Sequence, residues 1–442
     1  MNIIIKTKKF FFKQFLDIKN FGIKELFRKI YLLIKFFVMV IPGIIAIIPC
    51  IIIRLLSPVI TIRIGVMPAG NFGEFILRPA MYYSKKQLNL SPQNKKYIDF
   101  VYISRTNTVF NKQLEKMWKR KLNFLPSYLL EPIYITNRFF PGWKKHVLEA
   151  LLVGNRDTEN FFEKFKILEF TNAEEVKGKK ILNNFGLTDK DKFICLAVRD
   201  EAYETKKISS RYRNWSYHDY RNWNIDNFIL AAEELTKRGY YVFRMGVVVK
   251  KALKTKNPKI IDYANSNLRS DFMDVYLGAN CTFCVTTGFG FQYLPYIFGK
   301  PLVQLSAPVG DLLTHNSNFL TMTKHHIHRK ENRKLSLSEI FSYGLAFAYE
   351  SKIFEEKGIK IIDSTPEEIR DIAIEMDDSL KFKKETNQEN LQLQKNFRDV
   401  MSSNMKHINS QEKTKNPYHI FHGKIRSRFS SKFLKENKNW LS

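Results

Sequence analysis

The chain has 442 residues, too many for a single hydrophobic core, so its length predicts two domains and additional segments. A formal net charge of +29 suggests an anionic partner such as lipid, nucleotide phosphate or nucleic acid, although an AT-rich coding bias also enriches lysine. The four cysteines lie inside apolar runs and form only one CxxC spacing, which disfavours a zinc or redox site and fits a reducing compartment.

Residues 1–58 have the composition of a membrane anchor. Residues 36–53 are about 18 apolar residues without a charge, near the lower limit for a spanning helix, and a basic, aromatic stretch precedes them. Pro42-Gly43 and Pro49 interrupt the run, so a shallow re-entrant hairpin competes with a straight span. Because a hairpin leaves both flanks in the cytoplasm, we expect a monotopic anchor whose N-terminal part lies on anionic lipid as a basic amphipathic helix.

The next segment, residues 59–185, begins with a strand, a glycine-rich turn, a helix and a second strand, which is typical of a Rossmann-like βαβ unit. Gly70 and Asn71 lie in that turn. The turn does not match a dinucleotide fingerprint, so it is only permissive for a phosphate or sugar. Glu74 begins the helix and is a candidate base for an acceptor hydroxyl, or simply a carboxylate stabilised by the helix dipole.

Residues 186–378 contain a second series of strands and helices. Apolar strands are predicted at 193–198, 240–244, 282–285 and 301–305, and helices at 225–238, 271–277 and 291–298. Residues 379–442 turn polar and basic, which predicts a solvated tail. The sequence therefore predicts an α/β protein in which two Rossmann-like domains face a cleft, after an N-terminal membrane-associated helical segment.

Polar residues follow several of these strands, where an open α/β sheet binds its ligand. Arg199 and Asp200 follow the first strand, and the Arg199 fork suits a diphosphate, although an ion pair with an aspartate is the simpler alternative. Arg244 ends the second strand and could reach the same phosphates, and Gly246 would let a base or ribose approach. The turn 286–288 could bind phosphate at a helix N-terminus or be an ordinary cap.

Three further motifs carry polar side chains. His218 and Asp219 lie in an aromatic loop and could supply a general base, although a loop histidine is more often only a hydrogen-bonding residue. Asp271 is most simply part of a helix start, with a site role as the alternative. The segment His325-His326-x-His328 is predicted to be a solvated loop, and no Asp-x-Asp follows a strand, which disfavours a metal-dependent mechanism.

Four motifs together resemble a family of bacterial glycosyltransferases found among surface-polysaccharide biosynthesis functions. They are Tyr217–Asn222 (YHDYRN), Arg244–Gly246 (RMG), Ile261–Ala264 (IDYA) and Leu268–Asp274 (LRSDFMD). The resemblance covers about residues 190–310, and more loosely 62–83. It implies a GT-B-like architecture with the nucleotide sugar in the C-terminal domain and the acceptor in the N-terminal one. The arrangement around 199–200 and 286–288 is also similar, more distantly, to fucosyltransferase-type enzymes.

With this resemblance, the sequence predicts a metal-independent glycosyltransferase at the cytoplasmic face of the bacterial inner membrane. It would move a sugar from a nucleotide-sugar donor to a lipid-linked or nascent surface glycan, without a cofactor or nucleic acid, while contacting anionic lipid. The predicted catalytic residues are Glu74, His218 and Asp219. The predicted substrate-binding residues are Gly70, Asn71, Arg199, Asp200, Tyr217, Arg221, Asn222, Arg244, Gly246, Arg269, Ser270, Asp271, Thr286, Thr287, Gly288 and Gly290.

Two alternatives from other classes stay open. One is another two-domain nucleotide-sugar enzyme such as an epimerase, although neither glycine-rich turn spells GxGxxG. The other is a basic lipid- or nucleic-acid-binding module, which would explain the charge but not the polar clusters at strand ends. Binding by such a module would fall steeply with salt.

Overall fold

A computed structural model describes residues 17, 22–88, 96–152, 156–164, 166–202, 216–382, 387–411 and 423–442. The helices are α1 (Ile23–Ile45), α2 (Ile47–Leu55), α3 (Phe72–Gln87), α4 (Lys112–Lys119), α5 (Ser127–Asn137), α6 (Phe161–Lys164), α7 (Asn172–Asn184), α8 (Ile229–Lys237), α9 (Asp271–Asn280), α10 (Tyr293–Ile297), α11 (Leu337–Ser342), α12 (Ser351–Glu356), α13 (Pro366–Lys381), α14 (Gln388–Gln411) and α15 (Ser431–Glu436). The strands are β1 (Thr61–Val66), β2 (Tyr97–Tyr102), β3 (Lys192–Ala197), β4 (Tyr240–Arg244), β5 (Ile260–Ile261), β6 (Cys284–Thr286), β7 (Leu302–Ser306), β8 (Phe319–Thr323), β9 (His325–His328), β10 (Arg333–Lys334), β11 (Ile359–Ile362) and β12 (Arg428–Phe429).

The chain forms two compact units that are discontinuous in sequence. The smaller unit comprises Met1–Met67, Pro92–Asn107 and Leu122–Leu152, and the larger unit comprises the remaining residues. Residues 68–91 and 108–121 therefore belong to the larger unit, whereas the sequence predicts them inside an N-terminal domain of residues 59–185. The chain passes between the units several times. A prediction that assigns each domain one continuous stretch of sequence cannot reproduce this division.

The smaller unit contains a parallel pair, β1 and β2, in which Arg63 and Asp99 face each other and form an ion pair at 2.6 Å. Single bridges extend this pair at Val147 and at Phe124. Its core is a small cluster of buried residues: Ile64, Tyr102, Leu130, Tyr134 and Val147. The unit is thus smaller than the Rossmann-like domain that the sequence predicts, because α3 and α4 belong to the larger unit.

Helices α1 and α2 cover residues 23–55 of the predicted anchor, whereas residues 1–16 and 18–21, with most of the predicted basic amphipathic helix, lie outside the described part of the chain. Pro42 lies inside α1, Pro49 lies in the first turn of α2, and the two helices meet at Ala46. The first turn of a helix tolerates proline because its N–H groups have no partner within the helix. Within the described ranges, no helix has both the length and the apolar character needed to cross a membrane.

The larger unit is built on a seven-stranded sheet in the order β5-β4-β3-β6-β7-β8-β12, with every neighbouring pair parallel. The strands are almost entirely buried, as expected for a parallel sheet covered by helices on both faces. Counted along the chain, the order is that of a doubly wound Rossmann sheet with one strand added. This confirms the α/β class that the sequence predicts for the chain.

The C-terminal residues differ from the predicted solvated tail. Helix α14, strand β12 and helix α15 pack on the core of the larger unit through Phe397, Met401, Phe429, Phe433 and Trp440, all buried. The polar composition of the region hides these few apolar residues, of which Phe397 and Met401 lie one turn apart on α14 and the other three lie in short elements near the C-terminus.

The prediction for the histidine segment is wrong. His325–His328 forms strand β9, paired with β10 and β11, and His326 is 2% exposed. His325 lies 2.9 Å from the carboxylate of Glu368, which explains why a basic, polar-looking segment is buried.

Candidate functional site

A cavity of about 350 Å³ lies in the larger unit at the carboxyl ends of β3, β4 and β6. It is lined by Asn71, Phe72, Phe110, Val198, Arg199, Asp200, His218, Arg221, Met245, Gly246, Val247, Val248, Val249, Asp274, Phe289, Gly290 and Phe291. Strands β3 and β6 are neighbours at which the strand order reverses. In open α/β sheets this switch point is where a ligand binds, because the following loops diverge and leave a crevice.

Arg199 is held at the lip of this cavity by its backbone. Its N–H donates to the hydroxyl of Thr287 at 2.8 Å, so the turn after β3 is tied to the turn after β6. Its guanidinium donates through Nη1 to the carbonyl of His218 at 3.3 Å. The hydroxyl of Thr287 is thus used within the protein, and its neighbour Thr286 is fully buried.

Arg221 is the second arginine that lines the cavity. Its Nη2 donates to the carbonyl of Gly288 at 2.6 Å, and its Nε lies 3.5 Å from the carboxylate of Asp311. Gly288 has a φ of +73°, and a Cβ there would lie 2.5 Å from the hydroxyl of Ser306, so only glycine fits this turn. The guanidinium of Arg221 is therefore held by the turn after β6, although Arg221 comes from a different segment of the chain.

His218 also lines the cavity, near enough to both arginines for their charges to act on it. Burial, followed by the charges of Arg221 and Arg199, lowers the pKa of His218 to about 4. The imidazole is therefore neutral near pH 7, and its unprotonated ring nitrogen can accept a hydrogen bond. Asp219 is not among the lining residues, and it accepts a hydrogen bond from Asn222 at 3.0 Å. Burial and then the nearby Glu201 raise the pKa of Asp219.

Asp200 joins two loops at the cavity. Its carboxylate accepts the backbone N–H of Ala202 at 2.9 Å and that of Lys250 at 2.9 Å. The second bond orders the loop after β4, where Gly246 lines the cavity. A Cβ at Gly246 would lie 2.6 Å from the Val249 side chain, so this loop is folded tightly back on itself.

Arg244 is placed differently from the diphosphate-binding position that the sequence predicts. The side chain is fully buried and does not line the cavity. Its Nη1 donates to Asp262 at 3.1 Å, and its Nη2 donates to the carbonyl of Lys251 at 3.3 Å. These contacts connect the loop after β4 to the end of β5, so the guanidinium of Arg244 stabilises the fold.

Asp274 lines the cavity and is absent from the residues predicted from the sequence. Its carboxylate accepts the hydroxyl of Tyr263 at 2.8 Å and lies 3.6 Å from Arg269. Burial, which outweighs the opposing charge of Arg269, raises the pKa of Asp274 to about 6. The sequence spacing could have indicated this residue, because Asp274 lies one helical turn beyond Asp271, which the sequence does predict. Asp271 itself accepts the backbone N–H of Lys112 at 2.8 Å.

We expect Asp274 to make stability depend on pH. Because its native pKa is near 6, its stabilising contribution is fully present below about pH 4, where the unfolded carboxyl also becomes protonated, and is lost as pH rises through 6. Relative to Asp274→Asn, the wild-type free energy of unfolding should fall by about 2 to 3 kcal/mol between pH 4 and pH 7. Urea denaturation of both proteins across this range measures the difference, and parallel curves would contradict the burial argument.

The N-terminus of α3 also contributes to the cavity wall. Asn71 and Phe72 line it, and Phe72 stacks on Phe291 with ring centroids 6.2 Å apart. A Cβ at Gly73 would lie 2.8 Å from the Cα of Gly290, so the two backbones touch and exclude any larger residue. Gly70 lies outside the lining.

Glu74 lies in the first turn of α3 but is not among the lining residues. It forms an ion pair with Arg78 at 2.6 Å, and its side chain is 45% exposed.

The remaining predicted residues support elements around the cavity without lining it. Ser270 caps α9 by accepting the N–H of Met273 at 3.2 Å. The carbonyl of Tyr217 accepts the hydroxyl of Ser351 at 3.1 Å, and that of Asn222 accepts Lys324 Nζ at 2.5 Å. The two carbonyls thus fix both ends of the segment that carries His218.

Among the described residues, no group of three or more His, Cys, Asp or Glu side chains is placed to hold a metal ion. The four cysteines are free and buried. The charged groups facing the cavity are instead Arg199, Arg221, Asp200 and Asp274, with the neutral His218.

The chain matches no family model and no curated protein at a significant level. Among solved structures, it is similar to the glycosyl transferase family 9 protein of Veillonella parvula at 12% identity, covering 72% of this chain and 97% of that one, with a TM-score of 0.41. It is also similar to the E. coli ADP-heptose lps heptosyltransferase II (14% identity, 55% and 84% covered, TM-score 0.32). A third is the E. coli heptosyltransferase WaaC with ADP-2-deoxy-2-fluoro heptose (11%, 59% and 93%, TM-score 0.28). Each TM-score lies below 0.5, so these likenesses alone establish no shared fold.

Proposed function

We propose that the chain is a glycosyltransferase that uses a nucleotide-sugar donor. The observation that carries this proposal is the cavity at the β3–β6 switch point, where two arginines from separate segments, Arg199 and Arg221, both line the wall and both bond to the turn after β6. An arginine fork makes two charge-assisted hydrogen bonds to a phosphate, and two forks match a diphosphate. The apolar part of the lining, including Phe72, Phe291 and Val247–Val249, suits the flat ring of a nucleobase or the apolar face of a sugar.

In this proposal the two arginines stabilise the transition state of sugar transfer electrostatically. Negative charge develops on the leaving diphosphate as the bond to the sugar breaks, and fixed guanidinium groups stabilise that charge without reorganisation. The proposed reaction needs no metal, which the addition of a chelator to the assay will test. The acceptor hydroxyl needs a base, and the candidates on the cavity wall are His218, neutral near pH 7, and Asp274, with a pKa near 6. Glu74 and Asp219 stay candidates from the sequence.

We further propose a lipid-linked or nascent bacterial surface glycan as the acceptor and the cytoplasmic face of the inner membrane as the location. A GT-B-like pair of domains, with the acceptor held by the smaller unit, belongs to the same proposal. Its support is the motif resemblance together with the basic, apolar N-terminal segment.

A transfer assay tests this function. The purified chain is incubated with a set of nucleotide sugars that includes ADP-heptose, with bacterial membrane lipid as the acceptor source and with EDTA in half of the reactions. We expect the release of nucleoside diphosphate and the incorporation of sugar into lipid for one donor, with and without EDTA. Formation of an epimeric nucleotide sugar, without release of a nucleoside diphosphate, would support the epimerase alternative. Loss of transfer with EDTA would contradict metal independence.

A further inference from the structure

A row of exposed apolar side chains runs along α1 and α2 in the smaller unit. Its members recur at spacings of three and four residues, which places them on one side of a helix. They are Ile41, Ile44, Ile45, Ile48, Ile51, Ile52 and Leu55, which we call the isoleucine stripe. Ile41, Ile48 and Leu55 are 68%, 64% and 73% exposed. Ala46, between the helices, keeps a right-handed helical backbone, so the period continues from α1 into α2.

The opposite side of the same helices is packed into the smaller unit. Ala46, Cys50 and Ile53 are buried. The hydroxyl of Thr136 on α5 donates to the carbonyl of Gly43 at 3.1 Å, and Arg54 Nη2 donates to the Asn137 side chain at 2.6 Å. The helix pair is therefore a fixed part of the folded unit, and the stripe lies on the side that α5 does not cover.

The charge of the preceding segment indicates what covers the stripe. Residues 1–35 contain nine lysines and arginines and two acidic residues. Basic residues beside an exposed apolar helix face are the composition of helices that lie in the interface of an anionic membrane. A second copy of the chain is a poorer occupant, because it would bring a second strongly basic segment close to the first.

We propose that the isoleucine stripe is the surface by which this chain binds an anionic lipid bilayer. Helices α1 and α2 lie in the plane of the headgroup region, with the stripe towards the acyl chains and α5 on the side away from them. The basic residues that precede the stripe, within 1–35, contact the headgroups. The binding is a property of the smaller unit and does not depend on the sugar chemistry proposed above.

Vesicle co-sedimentation of the full chain tests the stripe. We expect the wild type to sediment with phosphatidylcholine vesicles containing phosphatidylglycerol, and about 10-fold less with phosphatidylcholine alone. The double variant Ile48→Asp, Ile52→Asp should lose at least about 10-fold of the binding to anionic vesicles, since it puts two charges into the stripe that faces the acyl chains. Val176→Asp, at a site on α7 that is 69% exposed, is the matched control and should bind like the wild type.

A labelled variant keeps the test valid if the double variant folds poorly. All four native cysteines are buried, so Ile48→Cys accepts an environment-sensitive fluorophore selectively, and Val176→Cys is its control. We expect a blue shift with anionic vesicles for position 48 alone. Equal sedimentation of wild type and double variant, or no shift at position 48, would overturn the proposal. A wild-type dimer in detergent-free buffer that the double variant abolishes, without vesicle binding, would assign the stripe to self-association instead.

Discussion

Arg199→Ala should lower the turnover of sugar transfer by at least about 100-fold, the scale of losing one electrostatic donor from an active site. The fold should survive, because Arg199 is fixed by its backbone N–H to Thr287, and that bond remains in the variant. Initial-rate kinetics with the active donor, together with urea denaturation, measure both effects.

Arg199→Lys is the informative companion variant. It keeps the positive charge but loses the fork that grips two phosphate oxygens, so we expect it to lose most of the turnover as well. If Arg199→Ala were stable and still transferred sugar near the wild-type rate, Arg199 would have no part in the site.

Arg244→Ala should instead destabilise the protein, by about 3 to 5 kcal/mol in the free energy of unfolding, the scale of breaking a buried ion pair. The variant leaves Asp262 without the guanidinium 3.1 Å away and frees the carbonyl of Lys251. Urea denaturation measures the change. Arg199→Ala is its matched control, because the two arginines lie at the carboxyl ends of the neighbouring parallel strands β3 and β4 and only Arg199 lines the cavity.

The two arginines are thus expected to separate function from stability. A stable Arg244→Ala protein with lost donor affinity would place Arg244 at the ligand and contradict its structural role.

These two arginines also show what the sequence can and cannot predict. The apolar strands and their polar ends are visible as a pattern, so the sequence locates β3, β4 and the arginines at their carboxyl ends correctly in the chain. Whether a side chain at a strand end turns into the cavity or back into the core depends on its neighbours in space. Arg244 meets Asp262 only because β4 and β5 pair in the sheet. No local pattern encodes that pairing.

Asp274 and the C-terminal elements were missed for related reasons. A helix start accounts for an acidic residue at Asp271, and the sequence gives no separate reason to select Asp274 one turn later. The burial of Asp274 against Tyr263 depends on tertiary packing. In the C-terminal region, average polarity hides single core residues such as Phe429 and Trp440, whose rings stack at 4.7 Å. Composition predicts solvation well for long segments and poorly for short elements that bury one residue per turn.

The central claim is that the cavity at the ends of β3, β4 and β6 binds the nucleoside diphosphate of a sugar donor. Thermal unfolding of the wild-type chain with each nucleoside diphosphate and nucleotide sugar measures this directly, because a ligand of the native state must stabilise it, by about 2.7 kcal/mol at 100 times its Kd. We predict a Tm that rises by several degrees with one nucleoside diphosphate and with its sugar conjugates, but not with the free sugar. A Tm unchanged by every compound of the set at millimolar concentration would contradict the claim.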